Sequence, residues 1–207
     1  MKTRIPDSWQ DDGAFDYSAS AANAFKSFLL VLGFTLLTAV AAQVIILIPF
    51  NPVPATLQSL IVLLSGAFLG PWRGGISQLL YLLWGVLGLP LFAGATTGFA
   101  ILAGPSGGYI IGFILAALYV GAVIRKAQGI LGLATIFTIG SLLILFAGWL
   151  HMTIFYTHLH AGTAFKLGVI SFLPGTAVKI ILATGITHIA KRYLKFPGLQ
   201  EQDKNNR

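Results

Sequence analysis

Lys179 is the one charged side chain that falls deep inside a long apolar segment of this 207-residue chain. An ammonium at the centre of a bilayer costs about 2.5–3.5 kcal/mol on insertion scales. Two arrangements meet that cost. A bound anion can supply the missing negative charge, or the side chain can snorkel to an interface, which the nearby Pro174-Gly175 leaves open. An internal salt bridge is excluded, because the six acids are Asp7, Asp11, Asp12, Asp16, Glu201 and Asp203, all near the ends. The same absence removes carboxylate-pair hydrolysis, carboxylate-held Mg²⁺ and the acidic proton relays of ion-driven pumps.

Other residues offer weaker chemistry. Gly94-Ala95-Thr96-Thr97-Gly98 supplies two hydroxyls and accessible backbone N–H groups, suited to wrapping a small polar ring. Gly104-Pro105-Ser106-Gly107-Gly108-Tyr109 leads into a helix whose N-terminus carries partial positive charge. Glycines in membrane proteins also serve close helix packing, so both readings stand. His151, His158 and His160 invite a metal reading, but no Cys or acid accompanies them, and loop or interfacial histidines explain them better. His188 is equally bland. Trp72, Trp149, Tyr156 and Tyr193 fall near segment ends as an interfacial belt, while Trp84 and Phe92 flank the glycine-rich loop and could pack on a ligand. There is no cysteine, no phosphate-binding loop, no Gly-x-Ser-x-Gly elbow and no His-Glu-x-x-His helix. No enzyme machinery, resident cofactor or metal is expected.

The elements that position these residues follow from composition. Hydrophobic residues make up 56% of the chain and charged ones 9%, against roughly 25% charged in soluble domains. So few charges cannot cover a water-facing globule, and the basic residues form no aromatic-interleaved stripe for nucleic acid. The pattern predicts an all-α integral membrane protein. A helix needs about 20 apolar residues to cross. Six spans are predicted, over about 28–48, 55–69, 74–89, 109–124, 130–150 and 169–190. Residues 90–108, apolar but full of breakers, read as a loop folded back over a pocket. The first residues lack a signal-peptide core, so the first apolar segment should stay as an anchor.

Charge placement gives an orientation. Lys2, Arg4, Lys26, Arg73, Arg125, Lys126, Lys191, Arg192, Lys195, Lys204 and Arg207 fall on one side of such a bundle, and Lys166 on the other. Positive charge marks the cytoplasmic face. The expected layout is a polar cytoplasmic tail over 1–27, a six-helix membrane domain over 28–193 and a second cytoplasmic tail over 194–207, in the plasma membrane. Thr35-x-x-x-Ala39 and Thr38-x-x-x-Ala42 put small residues four apart, which serves internal packing or the docking of another membrane protein.

Several stretches carry a resemblance: Ala42-Gln43, Ile48-Pro49-Phe50-Asn51-Pro52-Val53-Pro54-Ala55-Thr56-Leu57-Gln58, Leu69-Gly70-Pro71-x-x-Gly74, Gly88-Leu89-Pro90-Leu91-Phe92-Ala93-Gly94, Gly104-Pro105-Ser106-Gly107-Gly108-Tyr109 and Phe172-Leu173-Pro174-Gly175. In this order they resemble the BioY family, the biotin-specific S components of energy-coupling-factor (ECF) transporters, over about residues 28–190. The resemblance implies a six-helix S-component bundle, high-affinity capture of biotin, and partnership with a transmembrane coupling subunit and ATPase subunits, although some members are thought to work without them. The implied substrate-binding residues are Lys179, Thr176, Thr96, Thr97, Tyr109, Phe92 and Gln58. Thr35, Ala39 and Ala42 resemble the docking motif of S components, with Thr35 in place of its first Ala.

Two departures stand out. The family often reads Pro-Gly-Asp-x-x-Lys where this chain has Pro174-Gly175-Thr176-Ala177-Val178-Lys179, so a threonine replaces the acid. Ala95, Thr96 and Thr97 replace residues of a glycine-richer loop. Two functional classes therefore stay open: a capture subunit for biotin, or a membrane protein of this fold with another small anionic ligand or a stand-alone facilitator role.

Overall fold

The computed structural model describes residues 17–46, 51–155 and 160–193, with side chains from Asn23 onward. Its helices, in chain order, are α1 (Tyr17–Gln43), α2 (Gln58–Leu69), α3 (Pro71–Val86), α4 (Phe99–Ala103), α5 (Gly107–Val123), α6 (Gly129–Phe155), α7 (Ala161–Gly168) and α8 (Leu173–Tyr193). Short 3₁₀ turns cover Ala93–Ala95, Ile124–Lys126 and Ile170–Phe172. Two-residue strands, β1 (Ile45–Ile46) and β2 (Ala55–Thr56), pair antiparallel with Ile45 opposite Thr56. This pairing ties the end of α1 to the residues just ahead of α2.

Breakers set the helix limits. Gly70 closes α2 and opens α3 in one residue, at φ 81° and ψ −179°, a conformation that glycine adopts readily and side chains resist. Pro71 then occupies the first turn of α3, where its missing N–H costs nothing. Across the fold α5 is the central helix, packed against α2, α3 and α6. Ala116, Ala117 and Val120 on it are fully buried.

The outward surface is apolar. Leu36, Val40, Leu115, Leu142, Phe146 and Ile181 are all exposed, as expected of side chains that face lipid. Among the described residues, four stretches are long and apolar enough to cross a membrane: Asn23–Gln43, Gly107–Lys126, Gly129–Phe155 and Ala161–Tyr193. α2 is apolar but shorter, and α3 has only 16 residues.

The structure revises several expected boundaries. α1 starts at Tyr17, within the segment expected to be a tail, and ends at Gln43, with β1 replacing the last turn of the predicted span. The loop over 90–108 contains α4, and the segment before α8 contains α7, neither of which was predicted. Residues 47–50, and His158 and Tyr156, lie outside the described residues.

The small-residue face of α1 turns inward. Thr35, Thr38 and Ala42 are fully buried and Ala39 nearly so. The Thr35 hydroxyl lies 3.0 Å from the carbonyl oxygens of Val31 and of Ser77 on α3. The Gln78 amide nitrogen reaches Thr38 at 3.3 Å and Ser65 on α2 at 3.1 Å. Buried polar groups in an apolar bundle must find partners inside it, and these three helices satisfy one another. Thr35, Ala39 and Ala42, expected as a docking face, are thus buried within the chain itself, with Thr35 bonded to α3.

Candidate substrate cavity

The N-terminal ends of α2, α5 and α8 come together at one end of the bundle, with residues 52–56 ahead of α2 and the turn after α3. There a cavity of about 410 Å³ opens between them, within the range of roughly 300–1,000 Å³ for small-ligand sites. Its wall runs from Pro52–Pro54 and Thr56 through Gln58 and Ser59, past Tyr81, Phe92 and Thr96, along Gly104–Ser106 and Tyr109, to Ser141, Phe172, Thr176 and Lys179.

Its charged corner is built by α2 and α8. Lys179, half-buried, donates to the Ser59 hydroxyl at 2.9 Å. Among the described residues there is no Asp or Glu, so no side-chain anion balances this ammonium. Thr176, one turn earlier on α8, lines the same corner. Ser59 escaped the sequence reading; its one signal was adjacency to Gln58.

The polar wall by α2 and α3 is already satisfied. The Gln58 amide nitrogen donates to the Tyr81 hydroxyl at 2.5 Å, and its oxygen accepts from Thr56 at 2.7 Å. Tyr81 in turn donates to the Leu91 carbonyl at 3.3 Å. Gln58 therefore lines the cavity with its main hydrogen bonds made within the protein. Tyr109 behaves likewise: its hydroxyl donates to the Gly168 carbonyl at 2.7 Å, leaving the ring as its contribution to the cavity. A β-carbon on Gly148 of α6 would run into that ring, so the glycine is what lets Tyr109 sit there.

The third wall is the turn after α3. Phe92 is fully buried, edge-on to Tyr81 with ring centroids 5.5 Å apart. Thr96 lines the cavity and donates its hydroxyl to Ala93 O at 2.9 Å, which leaves the oxygen able to accept. Thr97 does not line it: its hydroxyl donates to the Gly85 carbonyl at 2.9 Å and ties the loop to α3. Trp84 is also outside the lining. The expected residues Lys179, Thr176, Thr96, Tyr109, Phe92 and Gln58 thus converge, and Thr97 supports the loop from behind. His151 stacks on Phe155, 4.4 Å between centroids, and among the described residues no His, Cys, Asp or Glu cluster could hold a metal.

This arrangement can hold a small, largely apolar molecule carrying one negative group. The BioY family model matches residues 15–196. The chain belongs to the BioY family. It is 39% identical to the probable biotin transporter BioY of Pyrococcus horikoshii, over 76% of this chain and 91% of that one. It is 35% identical to the biotin transporter BioY of Thermotoga maritima, over 72% of this chain and 86% of that one. The BioY fold seen here is also that of a crystallised S component for biotin from an ECF-type ABC transporter. That structure superposes at a TM-score of 0.77 with 26% identity, covering 84% of this chain and 95% of the other. BioY is a family of multi-pass membrane transporters, and the chain is not an enzyme.

Proposed function

We propose that the chain captures biotin with high affinity and takes it up across the cytoplasmic membrane as the substrate-binding subunit of an ECF-type transporter. One observation carries this reading: an acid-free cavity, on the S-component fold, whose single ammonium has a hydroxyl but no carboxylate against it. Biotin joins one carboxylate, on a flexible alkyl chain, to a compact ureido bicycle. The carboxylate pairs with Lys179 and Ser59, and the bicycle lies among Phe92, the Tyr109 ring and Thr96. Thr176 offers a further hydrogen bond. Buried charge pairs need such added hydrogen bonds to offset desolvation.

The chain has no phosphate-binding loop, so the energy for transport comes from ATPase subunits acting through a transmembrane coupling subunit. We further place α1, α2, α3, α5, α6 and α8 across the bilayer with both termini cytoplasmic. Support comes from Arg73, Arg125, Lys126, Lys191 and Arg192, which gather at the end of the bundle opposite the cavity. The membrane body then runs to residue 193, with short polar tails before α1 and after α8.

The test is uptake of labelled biotin by a bacterial strain that lacks biotin synthesis and its own biotin transporter. Accumulation with the chain and its coupling and ATPase subunits, lost on Lys179→Met, is the expected result. No accumulation, with the full set present in the membrane, would overturn the reading. Because the chain has no cysteine, single cysteines at each end report sidedness by labelling in intact and inverted vesicles.

A further inference from the structure

We propose that Gln43, which does not itself line the cavity, is a positioning residue for it: one amide clamps both ends of the turn that presents Phe92 and Thr96. The proposal rests on the biotin reading above for its ligand, but its geometry stands independently. Gln43 is the last residue of α1 and is absent from the cavity wall. Its Nε2 donates to the Phe92 carbonyl at 3.1 Å, and also to Ala39 O at 3.2 Å within α1. Its Oε1 accepts from the Ala95 backbone N–H at 3.0 Å. The two loop contacts use opposite poles of one amide, so a side chain with only acceptors or only donors cannot make both.

The turn needs such a hold. Gly94 and Ala95 both have left-handed φ, 69° and 56°. The conformation is ordinary for glycine and uncommon for alanine. The backbone bond from Phe92 N–H to Thr96 O, at 3.1 Å, closes the turn but does not attach it to the bundle. Thr97 attaches the distal side to Gly85 on α3. Gln43 attaches the near side to α1, and so fixes where Phe92 and Thr96 stand relative to α2 and α8. The side chain lies on the exposed rim, where its loss removes no packed core volume. Its effect is therefore on the site more than on the fold.

The experiment uses the full chain in detergent, comparing wild type, Gln43→Ala and Gln43→Glu. Three quantities are measured: hydrogen exchange over 92–98 without ligand, biotin affinity, and thermal unfolding without ligand. Gln43→Ala is expected to speed exchange at the Ala95 amide about tenfold, to weaken biotin binding about tenfold and to leave the unfolding temperature nearly unchanged. Gln43→Glu keeps the acceptor for Ala95 and loses the donor to Phe92, so it should fall between the two in affinity. Unchanged exchange would overturn the clamp, and faster exchange with unchanged affinity would overturn its role in the site. An unfolding temperature that drops in step with affinity in both variants would overturn it too, by making Gln43 a general stabiliser. Failure of the wild-type chain to bind biotin would strike the functional reading instead, and the exchange arm would still decide the clamp.

Discussion

The Lys179 ammonium on α8 and the Ser59 hydroxyl oxygen on α2 lie 2.9 Å apart, across a corner of the cavity with no acid among the described residues to balance the charge. The serine accepts from the ammonium and keeps its own proton to donate. Together the two groups present a cation and a hydroxyl donor side by side, a pairing that fits the two oxygens of a carboxylate.

Lys179→Met should weaken biotin binding by at least about thirtyfold, since truncating one partner of a buried charge pair costs about 2 kcal/mol or more. The ligand-free variant should unfold at the same temperature as wild type or higher, because a desolvated charge has been replaced by an apolar stem. Titration and thermal unfolding of the purified chain measure both. Unchanged affinity would mean that the lysine only snorkels.

Ser59→Ala should cost about 1 kcal/mol of biotin affinity, roughly fivefold, as the loss of one hydrogen bond. In a Lys179→Met background the same change should have almost no effect. A double-mutant cycle reads this coupling, and independent effects at the two positions would separate the serine from the carboxylate site.

For Tyr109, ring and hydroxyl have different duties. Tyr109→Phe leaves the buried Gly168 carbonyl without its partner, which should destabilise the chain by about 1–3 kcal/mol while biotin affinity stays within about threefold. Gly148→Ala should do more to the site, because the added methyl pushes the ring out of its place. Overpacking of this kind costs about 1–3 kcal/mol, and here affinity should fall with stability.

Ala42→Leu tests the inward face of α1. Its side chain is fully buried, so a larger one should lower the unfolding temperature of the isolated chain. If that temperature held while assembly with a coupling subunit failed, the face would be a docking surface after all.

Much of this was legible in the chain itself. A lone lysine in an acid-free body pointed to an anion, and breakers over residues 90–108 pointed to a loop over a pocket. The helix-level outline followed from apolar length. Other features were not legible, for physical reasons. Ser59 is an ordinary helical serine until α8 brings a lysine to it. Gln58 looked free to bind because sequence does not show Tyr81 meeting its amide. The spacing of Thr35, Ala39 and Ala42 marks a close-packing face but not which neighbour it packs against. α4 and α7 are too short, and too rich in small residues, to announce themselves by periodicity.

The central claim is that this cavity holds biotin by its carboxylate. Titration calorimetry of the purified chain with biotin and with biotin amide tests it most directly. The amide keeps the shape and removes the charge. Tight biotin binding that weakens at least about thirtyfold for the amide, on the same 2 kcal/mol scale, is the predicted result. Equal binding of the two compounds, or no biotin binding by folded protein, would contradict it.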